Sequence, residues 1–230
     1  MQKAGQRIRG LVVVTGASRG LGLEFVRQLA LADTDVIACC RNPDLPGLSH
    51  LGKTVRVVAM DVTDAASVSR MAESLQGRPV DLLINNAAIR GATGGLSEVA
   101  RDDFLDVMAV NVLGPLLVTR ALLPNLRQGR GVVANIGSRA GSMVEGIDPD
   151  GDYAYKCSKA ALNMVTVKLA DDTGLTVLSL HPGWVRTDMG GPDAELDAAE
   201  SVAALLGLLA KAGTADRGSF RAYNGDLVAW

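Results

Sequence analysis

The sequence predicts an α/β fold: a doubly wound parallel sheet flanked by helices on both faces. Two observations predict it. Short apolar runs alternate with longer amphipathic ones along all 230 residues. The short runs are apolar on both faces, as strands buried between two helical layers must be. Elements alternating in this βαβα order pack as an open sheet with crossover helices.

The elements follow in order. LVVVT (11–15) reads as a buried strand, and a helix-period stretch covers 24–32. DVIACC (35–40) is the second strand, TVRVVAMD (54–61) the third, and a helix follows over 65–76. VDLLINNA (80–87) is the fourth strand. Residues 102–126 hold a long helical pattern with Gly114-Pro115 inside it. Proline lacks an amide hydrogen and crowds the preceding turn, so a kink or local adjustment is expected there. GVVANIGS (131–138) is the fifth strand, followed by a helix over 153–171. TVLSLHPG (176–183) is the sixth strand, 200–211 the final long helix and SFRAYNG (219–225) a last strand. No linker, repeat or low-complexity segment divides the chain, so residues 1–230 are expected to form a single domain.

Composition excludes several classes. Hydrophobic residues are 48%, enough for a sizeable core, and a net charge of −2 gives no electrostatic case for a nucleic-acid partner. The 26 glycines are neither periodic nor pooled, against collagen and linkers. MQKAGQRIRG is too polar for a secretory signal, and no stretch approaches the length needed to span a bilayer, so no membrane partner is expected. Cys39, Cys40 and Cys157 show no metal spacing and cannot all pair. A reduced, cytoplasmic compartment fits them best.

The first strand runs into TGASRGLG (15–22), where Gly16, Gly20 and Gly22 precede a helix. Glycines there permit a tight turn and close approach of a pyrophosphate to the helix N-terminus. The spacing differs from the commoner GxGxxG and lacks the ending of a triphosphate P-loop; the bland alternative is a tight turn with no ligand. Arg19 lies in this loop and Arg41 follows the second strand. An acidic residue after that strand would bind the ribose 2′-hydroxyl, whereas arginines neutralise a 2′-phosphate. This favours NADPH over NADH; two solvated arginines are the alternative. Asp61-Val62 stand where they could contact adenine. NNAA (85–88) could set backbone atoms beside the cofactor, although Asn85 or Asn86 could equally cap a turn.

Tyr155 and Lys159 are four residues apart and share a helix face. An ammonium near a phenol favours phenolate and draws its proton affinity down, which makes tyrosine a usable acid toward a carbonyl. Ser138, ending the fifth strand, can bond the same carbonyl oxygen, and Asn111 could anchor a water between the lysine and solvent. Tyr153 is a rival acid, with Lys156 three residues on. Spacing alone does not choose.

TGASRGLG, Asp61-Val62, NNAA, Asn111, Ser138, Tyr155-xxx-Lys159 and Pro182-Gly183 through Thr187 together resemble the classical short-chain dehydrogenase/reductase family, in order and over essentially the whole chain. The resemblance implies a Rossmann-type sheet and Tyr155 as catalytic acid. It implies Lys159 as the partner that lowers the acid's pKa and holds the nicotinamide ribose. Ser138 would orient the carbonyl and Asn111 would serve a proton relay. It implies a cofactor surface of Gly16, Ser18, Arg19, Gly20, Leu21, Gly22, Arg41, Asp61, Val62, Asn85, Ala87, Tyr155, Lys159, Pro182, Gly183, Val185 and Thr187. SLHPGWVRTDMGG (179–191), Ser201-Val202 and YNGDLVAW (223–230) are similar to the C-factor/sniffer-like carbonyl reductase group.

There are departures. NNAA replaces NNAG and IGS (136–138) replaces ISS. The interval from Ser138 to Tyr155 is longer than typical, and the stretch from Thr187 to Glu200 is short, suggesting an open pocket. Arg139, Met143, Trp184 and Met189 are its candidate lining. The expected reaction is NADPH-dependent reduction of an aldehyde, ketone or quinone. The alternatives are an NAD-dependent alcohol dehydrogenase and a nucleotide-binding signalling protein of C-factor type. The family implies a homodimer paired through the two long helices, with a tetramer as the larger alternative.

Overall fold

The computed structural model describes residues 8–48, 50–147 and 151–230. Its strands are β1 (Leu11–Thr15), β2 (Asp35–Cys40), β3 (Val55–Ala59), β4 (Leu82–Asn85), β5 (Val132–Ile136), β6 (Thr176–His181) and β7 (Phe220–Ala222). They form one sheet in the order β3-β2-β1-β4-β5-β6-β7, with every pairing parallel. The chain reverses its direction of winding between β1 and β4. The cleft at the carboxyl ends of those strands is where doubly wound folds bind ligands.

The main helices are α1 (Gly20–Leu31), α2 (Ala65–Glu73), α3 (Arg101–Met108), α4 (Gly114–Gly129), α5 (Tyr153–Thr173) and α6 (Ala198–Leu209). Alternate strand residues serve opposite cores. Leu11, Val13, Ile37, Leu83, Val133 and Val177 face Val68 and Met71 of α2 and Val118, Leu122 and Leu126 of α4. Val12, Val14, Ala38, Ile84, Ala134 and Leu178 face Phe25, Val26 and Leu29 of α1 and Val202, Leu205 and Leu209 of α6. Truncating any of the fully buried large side chains in such cores costs about 2–5 kcal/mol.

The long helical run is interrupted just before Pro115, where a local adjustment was expected. Residues Ala109–Leu113 form a π turn between α3 and α4. Pro115 has no N–H for the carbonyl of residue 111, and its ring would press on that carbonyl; a widened turn relieves both. The expectation that no stretch could span a bilayer is corrected by this run. Arg101–Gly129 is long and apolar enough to do so. Here its apolar stripe, including Val107, Val118, Leu122 and Leu126, is buried in the protein.

Two expectations fall partly outside the described residues. They are the polar N-terminal stretch, over residues 1–7, and the long interval before Tyr155, over residues 148–150.

Candidate active site

The end of β4 holds the glycine turn in place. The Thr15 hydroxyl accepts the N–H groups of Asn86 and Ala87, both at 3.0 Å. The Asn86 amide donates to the carbonyls of Thr15 at 2.9 Å and Gly16 at 3.2 Å. Gly22 leaves no room for a side chain, since a Cβ there would stand 2.1 Å from the Gly16 carbonyl oxygen. Gly16 and Gly20 take left-handed φ values of 64° and 53°, which glycine adopts without strain. α1 then starts with no side-chain cap and no acidic residue in its first turn. Its leading amide donors, beside Ser18 and Leu21, are therefore left for an anion, as a pyrophosphate requires.

The segment after β6 faces this turn. A Cβ on Gly20 would lie 3.5 Å from the Thr187 methyl. Ser201 donates to the Pro182 carbonyl at 2.6 Å, Gly183 sits under the Tyr223 ring with φ 88°, and buried Val185 bridges to Leu196. Arg19 reaches across to Asp188 at 2.7 Å, with both side chains exposed. Such a surface pair contributes about 0–1 kcal/mol, so Arg19 can exchange it for a phosphate at small cost.

Arg41 is exposed after β2, and its positive charge reaches Asp61. The Asp61 carboxyl lies below its ordinary value chiefly because it accepts the Thr63 N–H and hydroxyl, with Arg41 a smaller cause. Val62 is buried against Gly114, where a Cβ would meet it at 2.9 Å.

Asn85, expected to set backbone atoms beside the cofactor, ends β4. Its side chain points into the core and donates to Asn135 at 2.9 Å and Thr119 at 3.2 Å. Adjacent residues at a strand end face opposite sides, so Asn86 serves the glycine turn, and Ala87 stands over Gly16. Asn86 was legible as a turn cap; its partner was not.

The acid–base cluster gathers from three elements. The turn after β5 carries Ser138, whose hydroxyl accepts the Ala140 N–H at 3.1 Å. α5 packs directly on this turn, because a Cβ at Gly141 would stand 2.4 Å from the Lys159 carbonyl carbon. Gly137, the departure in IGS, has a local cause: a Cβ there would lie 2.3 Å from the Ser179 hydroxyl. Ser179 in turn donates to Asn163 at 2.7 Å, and Asn163 donates to Gly141 at 3.2 Å. A buried polar chain thus fixes the turn that presents Ser138.

Ser138 stands beside the Tyr155 phenol and favours its ionised form. The Lys159 ammonium lies 5.4 Å from the centroid of the Tyr155 ring and donates to the Ile136 carbonyl at 2.8 Å. Lys159 is 3% exposed, and burial pulls its pKa down to about 8. The expected lowering of the Tyr155 pKa by this lysine is not the dominant effect here. Burial raises the phenol, and Ser138 and Arg90 offset part of that rise. The ammonium sits against the ring and spends a hydrogen bond on Ile136, while Tyr155 itself is half-buried.

Asn111, in the π turn, is buried. It accepts the Ile89 N–H at 2.9 Å and donates to the Ile89 carbonyl at 2.8 Å and to Ser158 at 3.0 Å. Its side chain clamps the segment after β4 to α5. Tyr153 takes no part in the cluster; it lines a small crevice with Gly94, Glu98 and Phe104.

The expected pocket residues sit in the open. Met143 is 71% and Trp184 54% exposed; Met189 is also exposed. Trp184 donates its indole N–H to the Gly190 carbonyl at 2.8 Å. Arg139 pairs with Glu145 at 3.1 Å, and its N–H is accepted by His181 Nδ1 at 3.3 Å. Arg90 and Asp152, absent from the sequence reading, stand beside Tyr155 as an ion pair.

A glycine turn at a bare helix N-terminus, on the switch point of a parallel sheet, defines a dinucleotide-binding oxidoreductase class when a Ser–Tyr–Lys cluster adjoins it. The chain belongs to the short chain dehydrogenase family, whose model matches residues 10–197. It is 46% identical to C-signal of Myxococcus xanthus over 156 residues, 66% of this chain and 93% of that protein. It superposes on the NADPH-bound carbonyl reductase from chicken fatty liver with a TM-score of 0.89 at 34% identity, covering 97% of this chain and 100% of that one. Carbonyl reductase Sniffer of D. melanogaster gives a TM-score of 0.88 at 28% identity, with the same coverage.

Proposed function

We propose that this protein reduces an aldehyde, ketone or quinone to an alcohol with NADPH. The observation that carries the reading is the convergence of Ser138, Tyr155 and Lys159 beside the cleft at β1 and β4. The cofactor would be held by the glycine turn with Ser18 and Leu21, by Arg19 and Arg41 at a 2′-phosphate, by Asp61 and Val62 at adenine, and by Ala87 and Pro182–Thr187 at nicotinamide. When bound, NADPH supplies the hydride that the carbonyl carbon receives.

The chain's own residues handle the oxygen. Ser138 and the Tyr155 hydroxyl donate to it as negative charge develops, and a preorganised donor of this kind is worth about 100- to 1,000-fold in rate. Tyr155 then gives up its proton. A raised phenol pKa keeps that proton in place at neutral pH until the oxygen's basicity rises. Lys159, beside the ring, stabilises the phenolate left behind, and Asn111 holds the segment that frames the proton path. The exposed Met143, Trp184 and Met189 are read as the apolar wall of an open pocket.

The relatives that bind NADPH or NADP and are described as carbonyl reductases support this reading. The likeness to C-signal favours a second one, in which the folded chain signals and turnover is incidental. We also infer a homodimer, supported by exposed Leu113, Met164 and Val167 on the long helical run and α5. A cytoplasmic location is supported by three free cysteines. A panel of aldehydes, ketones and quinones, followed by NADPH and NADH oxidation, tests the function. Turnover with at least one class, faster with NADPH, is expected; no oxidation with any member would leave the signalling reading.

A further inference from the structure

The segment after β4 and the start of α5 hold a charged pair that the reaction above does not use. Arg90 follows Ile89, whose N–H and carbonyl are both gripped by the Asn111 side chain. The Arg90 guanidinium bonds one oxygen of Asp152, through Nε at 3.1 Å and through Nη2. The Asp152 side chain is only 7% exposed.

Asp152 occupies this place against local preference. It stands at the N-cap of α5, where an aspartate ordinarily accepts the N–H groups of the first turn, and it makes no such bond. Its φ is 46°, the left-handed region that few non-glycine residues enter. Its second oxygen, Oδ1, is buried with no hydrogen-bond partner among the described residues. A helix cap is forgone, backbone strain accepted and an acceptor left unsatisfied, all to hold this carboxylate against Arg90. The site of these concessions is three residues from Tyr155.

Among the described residues, four groups stand near the phenol. Ser138 comes from the turn after β5 and Lys159 from the next turn of α5. Arg90 comes from the segment after β4 and Asp152 from the start of α5. The last two oppose each other, because the cation favours phenolate and the carboxylate favours phenol.

We propose that Arg90 and Asp152 are an opposed pair of positioning residues that together set the charge balance at the Tyr155 hydroxyl. The pair acts through Tyr155, and its kinetic consequence rests on the reductase reading above. Asp152→Asn keeps the shape and a residue tolerant of left-handed backbone, but takes the carboxylate's charge away from the phenol. Arg90→Gln removes the cation, and Arg90→Lys keeps it.

The test is an ultraviolet titration of tyrosinate in the full chain, each variant read against the same variant carrying Tyr155→Phe, so that only Tyr155 is seen. The pH profile of kcat/KM for NADPH-dependent carbonyl reduction is recorded beside it. Asp152→Asn is expected to move the Tyr155 titration down in pH and Arg90→Gln to move it up, by about 0.5–1 unit each. Arg90→Lys should restore the wild-type midpoint, and the alkaline limb of kcat/KM should follow. Shifts in one direction for both, or unmoved midpoints with reduced turnover, would overturn the proposal and leave the pair a structural tie. If Asp152→Asn does not fold, the two Arg90 variants decide the matter. Opposed midpoint shifts in a protein that turns over no carbonyl would uphold the pair and reject the reductase reading.

Discussion

Lys159 is a cation in a place that disfavours cations. An unfolded lysine holds its proton to 10.5, whereas the folded site releases it near pH 8. Between those values the unfolded chain binds more protons, so stability rises with pH across that window. Below it both states are charged and the fold bears the full cost of the buried ammonium. Lys159→Met removes this dependence. Denaturant unfolding at pH 8 and pH 10 should show wild type gaining about 2 kcal/mol relative to the variant; parallel behaviour would mean the ammonium is better solvated than its burial implies. Residue identities here were legible from spacing and resemblance, but their energetics were not. YxxxK suggested a phenol drawn down by lysine, while the enclosure that raises it is a property of the packed site. Asn85 and Asn86 are neighbours of one type with opposite fates, decided by which face of β4 each takes. Arg90 and Asp152 lie 62 residues apart in sequence, and no periodicity links them.

At the scale of elements, the strands were readable because a central parallel strand must be apolar on both faces. Their predicted ends ran long at 54–61, 80–87 and 131–138, since polar residues that leave the sheet continue the apolar register for a few positions. Gly114-Pro115 announced a disturbance but not its form. The π turn it produces places Asn111 on Ile89 and Ser158. Pro115→Ala restores the missing N–H and allows an ordinary helical turn through 109–113, which rotates Asn111 off its partners. We expect kcat to fall about 10- to 100-fold, as for a displaced positioning group, with faster amide exchange at Ile89 and the fold intact. Unchanged kcat and unchanged protection at Ile89 would detach the π turn from the site.

The whole molecule joins two requirements. The reversal between β1 and β4 opens a cleft for a dinucleotide, and the turn after β5 with α5 brings acid, lysine and serine to its side. The doubly wound sheet and the site's location beside the glycine turn were legible from the chain, whereas the strand order β3-β2-β1-β4-β5-β6-β7 came only with the structure. An open pocket was expected from the short stretch after Thr187 and stays part of the proposed function; Trp184 and Met143 are exposed. In the proposed mechanism Tyr155 supplies the proton and is not needed to hold the cofactor. The direct measurement compares wild type and Tyr155→Phe for NADPH oxidation with a carbonyl substrate, alongside the thermal shift each shows with NADPH. Turnover in the variant should fall by about 100- to 10,000-fold, while NADPH at a hundred times its Kd still stabilises both proteins by about 2.7 kcal/mol. A variant that keeps wild-type turnover would show that Tyr155 is not the proton donor.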